Sequence, residues 1–344
     1  RVPRLLNFIS GLVLSAMRYI VIYCRLASLI ELEQEVTFRG QVRLGQFISL
    51  NTGGKCMAEE LEIKLTLAPD ALNQAGAWLS AQKGVRAGDV KTLVNRYFDT
   101  PAGDLNRRKV ALRIRQAGDQ FIQTLKARGE FVDGAHRRQE WEWPLVGPKL
   151  KPGLIADTPV GQSVNLAGLQ PVFETNFERR VLMVDQEDSV IEVAIDSGAI
   201  VAGGQSLPLN EIEFELKSGA SSALLAWARR LADEVPVFLN LVSKAEQGYH
   251  LAGLYHPVPD AGKISDLAVN DFLFLLSVSW LTGERLCFAR GRLDAIGRLA
   301  GELGVGELYQ QVVTALADGT AVRDLVSGKE LGQLQLAIAA GQCP

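Results

Sequence analysis

Charged side chains alternate with apolar ones in the segment MAEELEIKLTL, residues 57–67. Glu60, Glu62 and Lys64 fall on every second position, and leucine or isoleucine stands between them. A period of two is typical of a β-strand with one apolar and one charged face. Two carboxylates about 7 Å apart on one strand face repel each other unless a cation lies between them. Such a pair can hold a divalent metal through its oxygens.

The same kind of charged face recurs in later segments. Basic residues dominate LRIR at 112–115 and TLK at 124–126, charges are mixed in RRQEWEW at 137–143, and acids dominate IEVAID at 191–196 and EIEFEL at 211–216. The charged residues concerned are Arg113, Arg115, Lys126, Arg138, Glu140, Glu192, Asp196, Glu211, Glu213 and Glu215. One such strand alone is most simply the solvent-facing side of an antiparallel sheet. The set as a whole fits that explanation less well, because solvated faces usually interleave the two signs of charge.

Acidic and basic residues that point into one barrel would suit a phosphate chain carrying a divalent metal. Carboxylate clusters bind Mg²⁺ or Mn²⁺ through oxygen ligands. Arginine binds phosphate oxygens with a bidentate fork, and lysine binds them as a point charge. Glu60 and Glu62 are therefore predicted metal ligands, and Lys64 is a predicted phosphate contact.

These residues require a sheet that turns them inward. Between residues 57 and 256 the sequence predicts about eight antiparallel strands, separated by turn signals such as Gly118-Asp119, and a helix over 221–235. Residues 264–344 lose the strand-like alternation and show helical spacing instead. The predicted fold class is α+β: an eight-stranded antiparallel β-barrel with flanking helices and a C-terminal helical appendage.

The overall composition is that of an ordinary globular protein. The chain has 344 residues, of which 47% are hydrophobic and 22% charged, so it can bury a core. Its net charge of −3 gives no support for bulk nucleic-acid binding. Four widely spaced cysteines without a C-x-x-C pair predict free thiols of a reducing compartment, and hence a cytoplasmic location. They are Cys24, Cys56, Cys287 and Cys343.

Residues 1–56 differ from the rest of the chain. They begin with arginine and contain apolar segments at 5–17 and 19–24 around Arg18. Neither segment reaches the roughly 18 residues that a membrane span needs. We interpret residues 1–56 as a non-native or disordered leader before Met57, with a membrane-associating helix as the alternative. No targeting and no membrane partner are predicted from it.

The charged segments follow one another in an order that resembles a known family. The matching motifs are E-x-E-x-K at 60–64, YFDTP at 97–101, LRIR at 112–115, TLK at 124–126, R-x-E at 138–140, NFERR at 176–180, E-x-A-x-D-x-G at 192–198, E-x-E-x-E at 211–215 and SKAEQGYHL at 243–251. Over residues 57–256 this set resembles the CYTH domain of the triphosphate tunnel metalloenzymes. It looks most like the bacterial inorganic triphosphatases, in which a helical CHAD domain follows.

The resemblance implies an eight-stranded tunnel and Mg²⁺- or Mn²⁺-dependent hydrolysis of a terminal phosphoanhydride. Carried over by position, the implied metal-site residues are Glu60, Glu62, Asp196, Glu211 and Glu213. The implied phosphate contacts are Lys64, Arg113, Arg115, Lys126, Arg138, Arg179 and Lys244. Glu140 would orient the basic residues, with Glu192 and Glu215 in supporting or rim positions. Either a carboxylate of the Glu60–Glu62 pair or a metal-bound hydroxide would activate water, and Lys64 would assist.

The resemblance leaves several functions open. Hydrolysis of inorganic tripolyphosphate to pyrophosphate and phosphate is the prediction. A class IV-type adenylate cyclase or a thiamine or nucleoside triphosphatase would use the same phosphate contacts, and a non-catalytic polyphosphate-binding module is the alternative from another class. Two complete acidic clusters argue against a pure binder, which has little use for a metal site. The oligomeric state stays open.

Further expectations concern the C-terminal segment and the residues around 136–143. Residues 264–344 are shorter than a CHAD domain and contain no histidine, so they are predicted to be a truncated or degenerate remnant of one. His136 lies near glycine in the sequence and is expected to be an exposed loop residue. Trp141 and Trp143 alternate with Glu140 and are expected to pack on the opposite face of their strand.

Overall fold

The computed structural model describes residues 56–342 except 128, 133–134, 187 and 263–265. Almost all of the predicted leader, residues 1–55, therefore lies outside the described residues, as do Cys24 and Cys343. The strands are β1 (Cys56–Thr66), β2 (Val85–Asp99), β3 (Ala111–Ala117), β4 (Gln120–Lys126), β5 (Glu130–Val132), β6 (Ala135–Leu145), β7 (Gln170–Gln186), β8 (Ser189–Ala202), β9 (Gln205–Ser218) and β10 (Phe238–Leu239).

Helices connect some of the strands and follow the last of them. They are α1 (Pro69–Ser80), α2 (Asp104–Arg107), α3 (Gly153–Ala156), α4 (Ser222–Glu234), α5 (Lys244–Leu251), α6 (Val269–Thr282), α7 (Asp294–Glu302), α8 (Gly306–Ala317), α9 (Val322–Leu325) and α10 (Glu330–Ala340). The helix predicted over 221–235 is confirmed as α4. In the part of the chain that the structure describes, no helix is long and apolar enough to cross a membrane.

Eight of the strands close into an antiparallel barrel. Their order is β1-β9-β8-β7-β2-β3-β4-β6, and β6 pairs with β1 to complete the ring. The closing pairs run from Cys56 opposite Glu142 to Glu62 opposite His136. Strand β5 extends the hairpin with β6, and β10 pairs with the end of β1. The predicted eight-stranded barrel is confirmed, and an interior of this size is just wide enough for side chains and one small ligand.

The alternation of β1 separates the barrel interior from an outer apolar layer. Ile63 and Leu65 are fully buried among residues of α1 and α4, including Leu72 and Leu231. Glu62 and Lys64 lie on the opposite face of the same strand, which faces inward. On β6, Trp141 and Trp143 pack in a second outer apolar cluster, as expected. These two apolar clusters therefore lie outside the barrel wall and the charges lie inside it, while a third apolar cluster, which includes Tyr97 and Phe173, packs against α5.

The C-terminal helices pack on the short strand β10. The described residues all belong to one compact unit. Gln335 of α10 is fully buried, and its amide accepts from the Leu239 N–H at 2.9 Å and donates to the Leu239 carbonyl at 3.0 Å. Ser277 of α6 accepts from the Leu241 N–H at 3.0 Å. The helices thereby satisfy the backbone groups of an edge strand that would otherwise be unpaired.

The packing of α5 against β7 depends on a glycine. A Cβ at Gly248 would overlap the ring of Phe173, which stacks on Tyr97 at 4.4 Å and meets Tyr249 at 5.0 Å. We expect Gly248→Ala to lower the free energy of unfolding by about 1–3 kcal/mol, because a ring in a packed cluster must move. Urea denaturation of both proteins measures this.

Gly301 of α7 provides the matched control, since nothing lies within 4 Å of a Cβ built there. Gly301→Ala should leave the stability unchanged or raise it by about 0.5–1 kcal/mol, because alanine favours helix. Equal effects of the two substitutions would contradict the packing argument.

Candidate active site

The register of the closed barrel brings the predicted acidic and basic residues of different strands face to face. On one side of β1, Lys64 lies opposite Glu213 of β9. Farther round the wall, Asp196 of β8 lies between Glu211 of β9 and Arg179 of β7. Because directly opposed residues of antiparallel strands share a face, all of these side chains project into the barrel. They form two charge clusters.

The first charge cluster consists of Glu60, Glu62, Lys126, Arg138 and Glu140, from β1, β4 and β6. The Lys126 Nζ lies 2.9 Å from both Glu60 Oε2 and Glu140 Oε2. Arg138 donates from Nε to Glu60 at 3.0 Å and from Nη2 to Glu62 at 2.6 Å. The cations thus separate the carboxylates of β1, which removes the repulsion between them.

The second charge cluster consists of Arg179, Asp196, Glu211, Glu213 and Lys244. Arg179 donates through two nitrogens to the two oxygens of Asp196, each at 2.7 Å, and also to Glu213 at 2.6 Å. The Lys244 Nζ contacts Glu211 and lies 2.7 Å from Glu213 and 3.0 Å from Asp196. Asp196 is fully buried, so this network is shielded from solvent.

Helix α5 positions Lys244 in the second cluster. Ser243 caps the helix by accepting from the Glu246 N–H at 3.2 Å, and Glu246 accepts from the Ser243 N–H at 2.9 Å. This reciprocal capping box fixes where the helix begins, with Lys244 as its first residue. A lysine beside a helix N-terminus is electrostatically unfavourable. The carboxylates of Asp196, Glu211 and Glu213 offset that cost.

Lys64 lies on the inner face between the two clusters with its charge poorly satisfied. Its Nζ is 3.7 Å from Glu62 Oε1, which is too long for a hydrogen bond, and it has no hydrogen-bond partner among the described residues. The side chain is only 2% exposed. Burial lowers the pKa of Lys64 below its usual value, against the attraction of Glu62. An anion that enters the barrel would supply the missing partner.

Burial and nearby cations divide four of the inward carboxyl groups into two kinds. Burial raises the pKa of Glu140 to about 7 and that of Glu211 to about 8. Burial acts in the same direction on Glu60 and Glu213, but their cationic neighbours outweigh it and hold both pKa values well below the usual range. Each cluster therefore contains one firmly ionised carboxylate and one group that exchanges a proton near neutral pH.

The carboxylates fit a divalent metal by their chemistry. They supply the oxygen ligands that Mg²⁺ and Mn²⁺ prefer, and Glu211 Oε2 is buried without a hydrogen-bond partner in the described part of the chain. Across residues 56–342 as described, no three acidic, histidine or cysteine side chains surround a common point. Lysine and arginine lie between the carboxylates instead. The assignment of Glu60, Glu62, Asp196, Glu211 and Glu213 as metal ligands stays a prediction.

Glu215 lies directly opposite Glu62 of the first cluster, and Glu192 lies opposite Glu215. Glu192 and Glu215 pair with Lys217, whose Nζ is 2.7 Å from Glu215 and 3.7 Å from Glu192. The side chain of Glu215 is 23% exposed and that of Glu192 is 28% exposed, whereas that of Glu62 is 5% exposed. This agrees with a rim position for Glu215. Lys217 was not singled out from the sequence, although it continues the alternation of β9.

The expectation that His136 is an exposed loop residue is wrong. His136 lies on β6 directly opposite Glu62, and its ring meets Phe131 edge-on at 5.3 Å. Burial, together with Lys64 and Arg138, holds the pKa of His136 well below its usual value. It lies two residues before Arg138, so the period of two alone would have placed it on the inner face. Gly134, two residues earlier in the sequence, obscured that signal.

Arg113 and Arg115 approach from β3 and differ in their partners. Arg113 lies 3.7 Å from Glu140, and its Nε has no hydrogen-bond partner among the described residues. Arg115 donates from Nε to Asn95 Oδ1 at 2.7 Å and forms no ion pair within the described ranges. Burial, Arg113 and Arg179 lower the pKa of Arg115 to about 10, so it remains charged at neutral pH. Asn95 was not singled out from the sequence.

Comparisons with known proteins identify the family of this domain. Residues 58–249 match the model of the CYTH domain. The inorganic triphosphatase of Haemophilus influenzae is 35% identical over 196 residues, which cover 57% of this chain and 55% of that protein. The match thus spans about half the length of this curated relative.

Two solved structures are each similar to somewhat more than half of the chain. A proposed adenylyl cyclase from Hippeastrum, described as having a dominant triphosphatase activity, is 22% identical with a TM-score of 0.42, covering 58% of this chain and 98% of its own. A proposed adenylate cyclase of Bacillus halodurans is 19% identical with a TM-score of 0.37, covering 52% of this chain and 90% of its own.

The raised pKa of Glu211 predicts a pH-dependent stability. The folded protein keeps this proton up to about pH 8, whereas the usual pKa is 4.5, so the folded state binds more protons between these values. The free energy of unfolding therefore falls as pH rises through this window. Between pH 6.5 and 8 we expect Glu211→Gln to remove about 1–2 kcal/mol of that fall, because glutamine does not titrate.

Urea denaturation in metal-free buffer at several pH values tests this expectation. Glu178→Gln is the control, since Glu178 is an exposed carboxylate on β7. Its pH profile should match that of the parent protein. Parallel profiles for Glu211→Gln and the parent would show that Glu211 is already ionised in the folded state.

Proposed function

Since the chain belongs to the CYTH domain family, we propose that it hydrolyses inorganic tripolyphosphate to pyrophosphate and phosphate inside the barrel, with Mg²⁺ or Mn²⁺ as cofactor. The observation that carries the proposal is the buried ammonium of Lys64, which has no hydrogen-bond partner among the described residues. A buried cation of this kind is stabilised by an anionic ligand. The similarity to an inorganic triphosphatase supports a triphosphate as that ligand.

Phosphate binding would proceed by exchange of ionic partners. In the structure, Lys126 and Arg138 contact Glu60, while Arg179 and Lys244 contact Glu213. Phosphate oxygens carry negative charge and accept the same hydrogen bonds, with arginine offering a two-pronged geometry. A phosphate chain therefore replaces the carboxylates as the partner of these cations. Lys64, Arg113 and Arg115 contribute the charge that the carboxylates leave unsatisfied.

The same exchange frees the carboxylates for their own role. Glu60, Glu62, Asp196, Glu211 and Glu213 are the residues that would hold the metal, because their oxygens face the interior on three neighbouring strands. A bound divalent cation supplies neutralisation of phosphoryl oxygens as charge develops on them. Binding of phosphate and release of the carboxylates from their cations are thereby coupled.

The Glu60–Glu62 pair is the proposed proton acceptor for the attacking water. Glu60 is ionised at neutral pH, because the attraction of Lys126 and Arg138 outweighs the effect of burial on its pKa. A carboxylate of the pair accepts the proton as the water oxygen bonds to the terminal phosphorus. The bond to the bridging oxygen breaks, and pyrophosphate leaves with its charge held by the basic residues. Glu140 holds Lys126 in place at 2.9 Å.

Product analysis separates this activity from its alternatives. Tripolyphosphate and ATP should be incubated with Mg²⁺ or Mn²⁺, and the products resolved by chromatography. We expect rapid phosphate release from tripolyphosphate, slow release from ATP and none with EDTA. Cyclic AMP and pyrophosphate from ATP would indicate a cyclase. Tight tripolyphosphate binding without turnover on either substrate would indicate a binding module.

Substitution of Glu62 tests the role of the carboxylate pair. Glu62→Gln should lower kcat for tripolyphosphate by about 100-fold or more, the usual contribution of a general base, and change binding only a few-fold. Binding survives because the glutamine oxygen can still accept from Arg138. Stopped assays and calorimetry measure the two quantities, with Glu178→Gln as the exposed control. A kcat within threefold of the parent value would exclude Glu62 from the chemistry.

A further inference from the structure

Asn95 of β2 lies in register with Arg115 of β3 on one side and Thr175 of β7 on the other. We propose that Asn95 is a positioning residue that holds Arg115 in one orientation without neutralising its charge, so that Arg115 binds a phosphate group of the substrate chain. This inference rests on the proposed function. It assigns a role to a residue that neither the sequence motifs nor the charge clusters include.

The hydrogen bonds of Asn95 determine which way its amide points. Its Nδ2 donates to the Thr175 carbonyl at 3.0 Å, so its Oδ1 is turned toward β3 and accepts from Arg115 Nε at 2.7 Å. A carbonyl can only accept, which excludes the flipped amide. Asn95 is fully buried, so solvent does not compete for these bonds. The guanidinium is held by Nε, and its two Nη groups have no hydrogen bond within the described residues.

Arg115 differs in charge balance from the other predicted phosphate contacts. Each of the others has a carboxylate oxygen within 4 Å. These contacts are Lys64, Arg113, Lys126, Arg138, Arg179 and Lys244. Arg115 has none in the part of the chain that the structure describes, and the charges of Arg113 and Arg179 act on it. An anionic ligand can therefore form an ion pair with Arg115 without first displacing a carboxylate from it.

An amide at position 95 can orient the guanidinium of Arg115 without neutralising its positive charge. An aspartate there would accept the same Nε hydrogen bond and would also neutralise Arg115, as Asp196 does for Arg179 at 2.7 Å. The hydroxyl of Thr175 lies in the same register row, is fully buried and has no partner among the described residues. An oriented cation with an unpartnered hydroxyl in its row is a suitable environment for a phosphate oxygen.

Two substitutions of Asn95 distinguish the effect of neutralising Arg115 from the effect of losing its orientation. Asn95→Asp keeps the acceptor but adds a negative charge, so tripolyphosphate binding and KM should weaken about tenfold or more, as for the loss of one charge-assisted hydrogen bond. Asn95→Ala loses only the orientation and should weaken binding about threefold. Both should leave kcat within a few-fold. Calorimetry with tripolyphosphate in EDTA measures binding apart from turnover, and steady-state kinetics separates KM from kcat.

Gln123→Glu is the matched control. Gln123 of β4 is a fully buried amide that bonds the backbone of Lys151 on the other side of the wall, so the same amide-to-acid change there should leave KM unchanged. Circular dichroism and thermal melting report the fold of every variant. If Asn95→Asp does not fold, Asn95→Ala decides: weaker binding with retained kcat supports the inference, and unchanged binding overturns it.

The outcomes separate this inference from the proposed function. The proposed function holds if the parent protein binds and hydrolyses tripolyphosphate. The role of Asn95 would then be refuted if Asn95→Asp bound tripolyphosphate as tightly as the parent, or more tightly than Asn95→Ala. Parent protein that neither binds nor hydrolyses tripolyphosphate would refute both.

Discussion

The mutual neutralisation of charge across the closing strand pair is the interaction on which the rest of this structure depends. Glu60 of β1 and Arg138 of β6 are directly opposed where the sheet meets itself, and Arg138 reaches on to Glu62. Two carboxylates on one strand face would repel each other in a closed interior. The basic residues of β4 and β6 allow the ring to close without that repulsion. Closure in turn creates the enclosed space that a ligand would occupy.

The barrel separates the residues that stabilise the fold from those that would bind and react. The apolar faces of the strands, represented by Ile63 and Phe214, pack outward under helices such as α4 and α10. Much of the stabilisation by burial therefore comes from the outer layer. The two charge clusters in the interior consist of ion pairs, which contribute little net stability because each charge loses its hydration. Such groups remain available to exchange partners with a ligand.

The interior charges differ in how completely they are satisfied. Lys244 meets three carboxylates, whereas the Lys64 ammonium has no hydrogen bond and Arg115 has an amide in place of an acid. A fully neutralised barrel would have little affinity for an anion, and a wholly cationic one would be costly to fold. Exchangeable ion pairs keep the barrel stable enough to fold, and the few unsatisfied cations give it affinity for an anion. Glu140 and Glu211 can each gain or lose a proton near neutral pH, because burial raises their pKa values.

The sequence by itself determined the barrel, the inward set of charges and helix α4, because alternation with a period of two is a local property of each strand. It could not determine which acid meets which cation, since Glu60 and Arg138 are 78 residues apart and meet only when the sheet closes. His136 was misplaced in a loop because a nearby glycine obscured its alternation, Lys217 was passed over although it continues the alternation of β9, and Asn95 carried no signal. Their roles depend on cross-strand register, which tertiary packing alone decides.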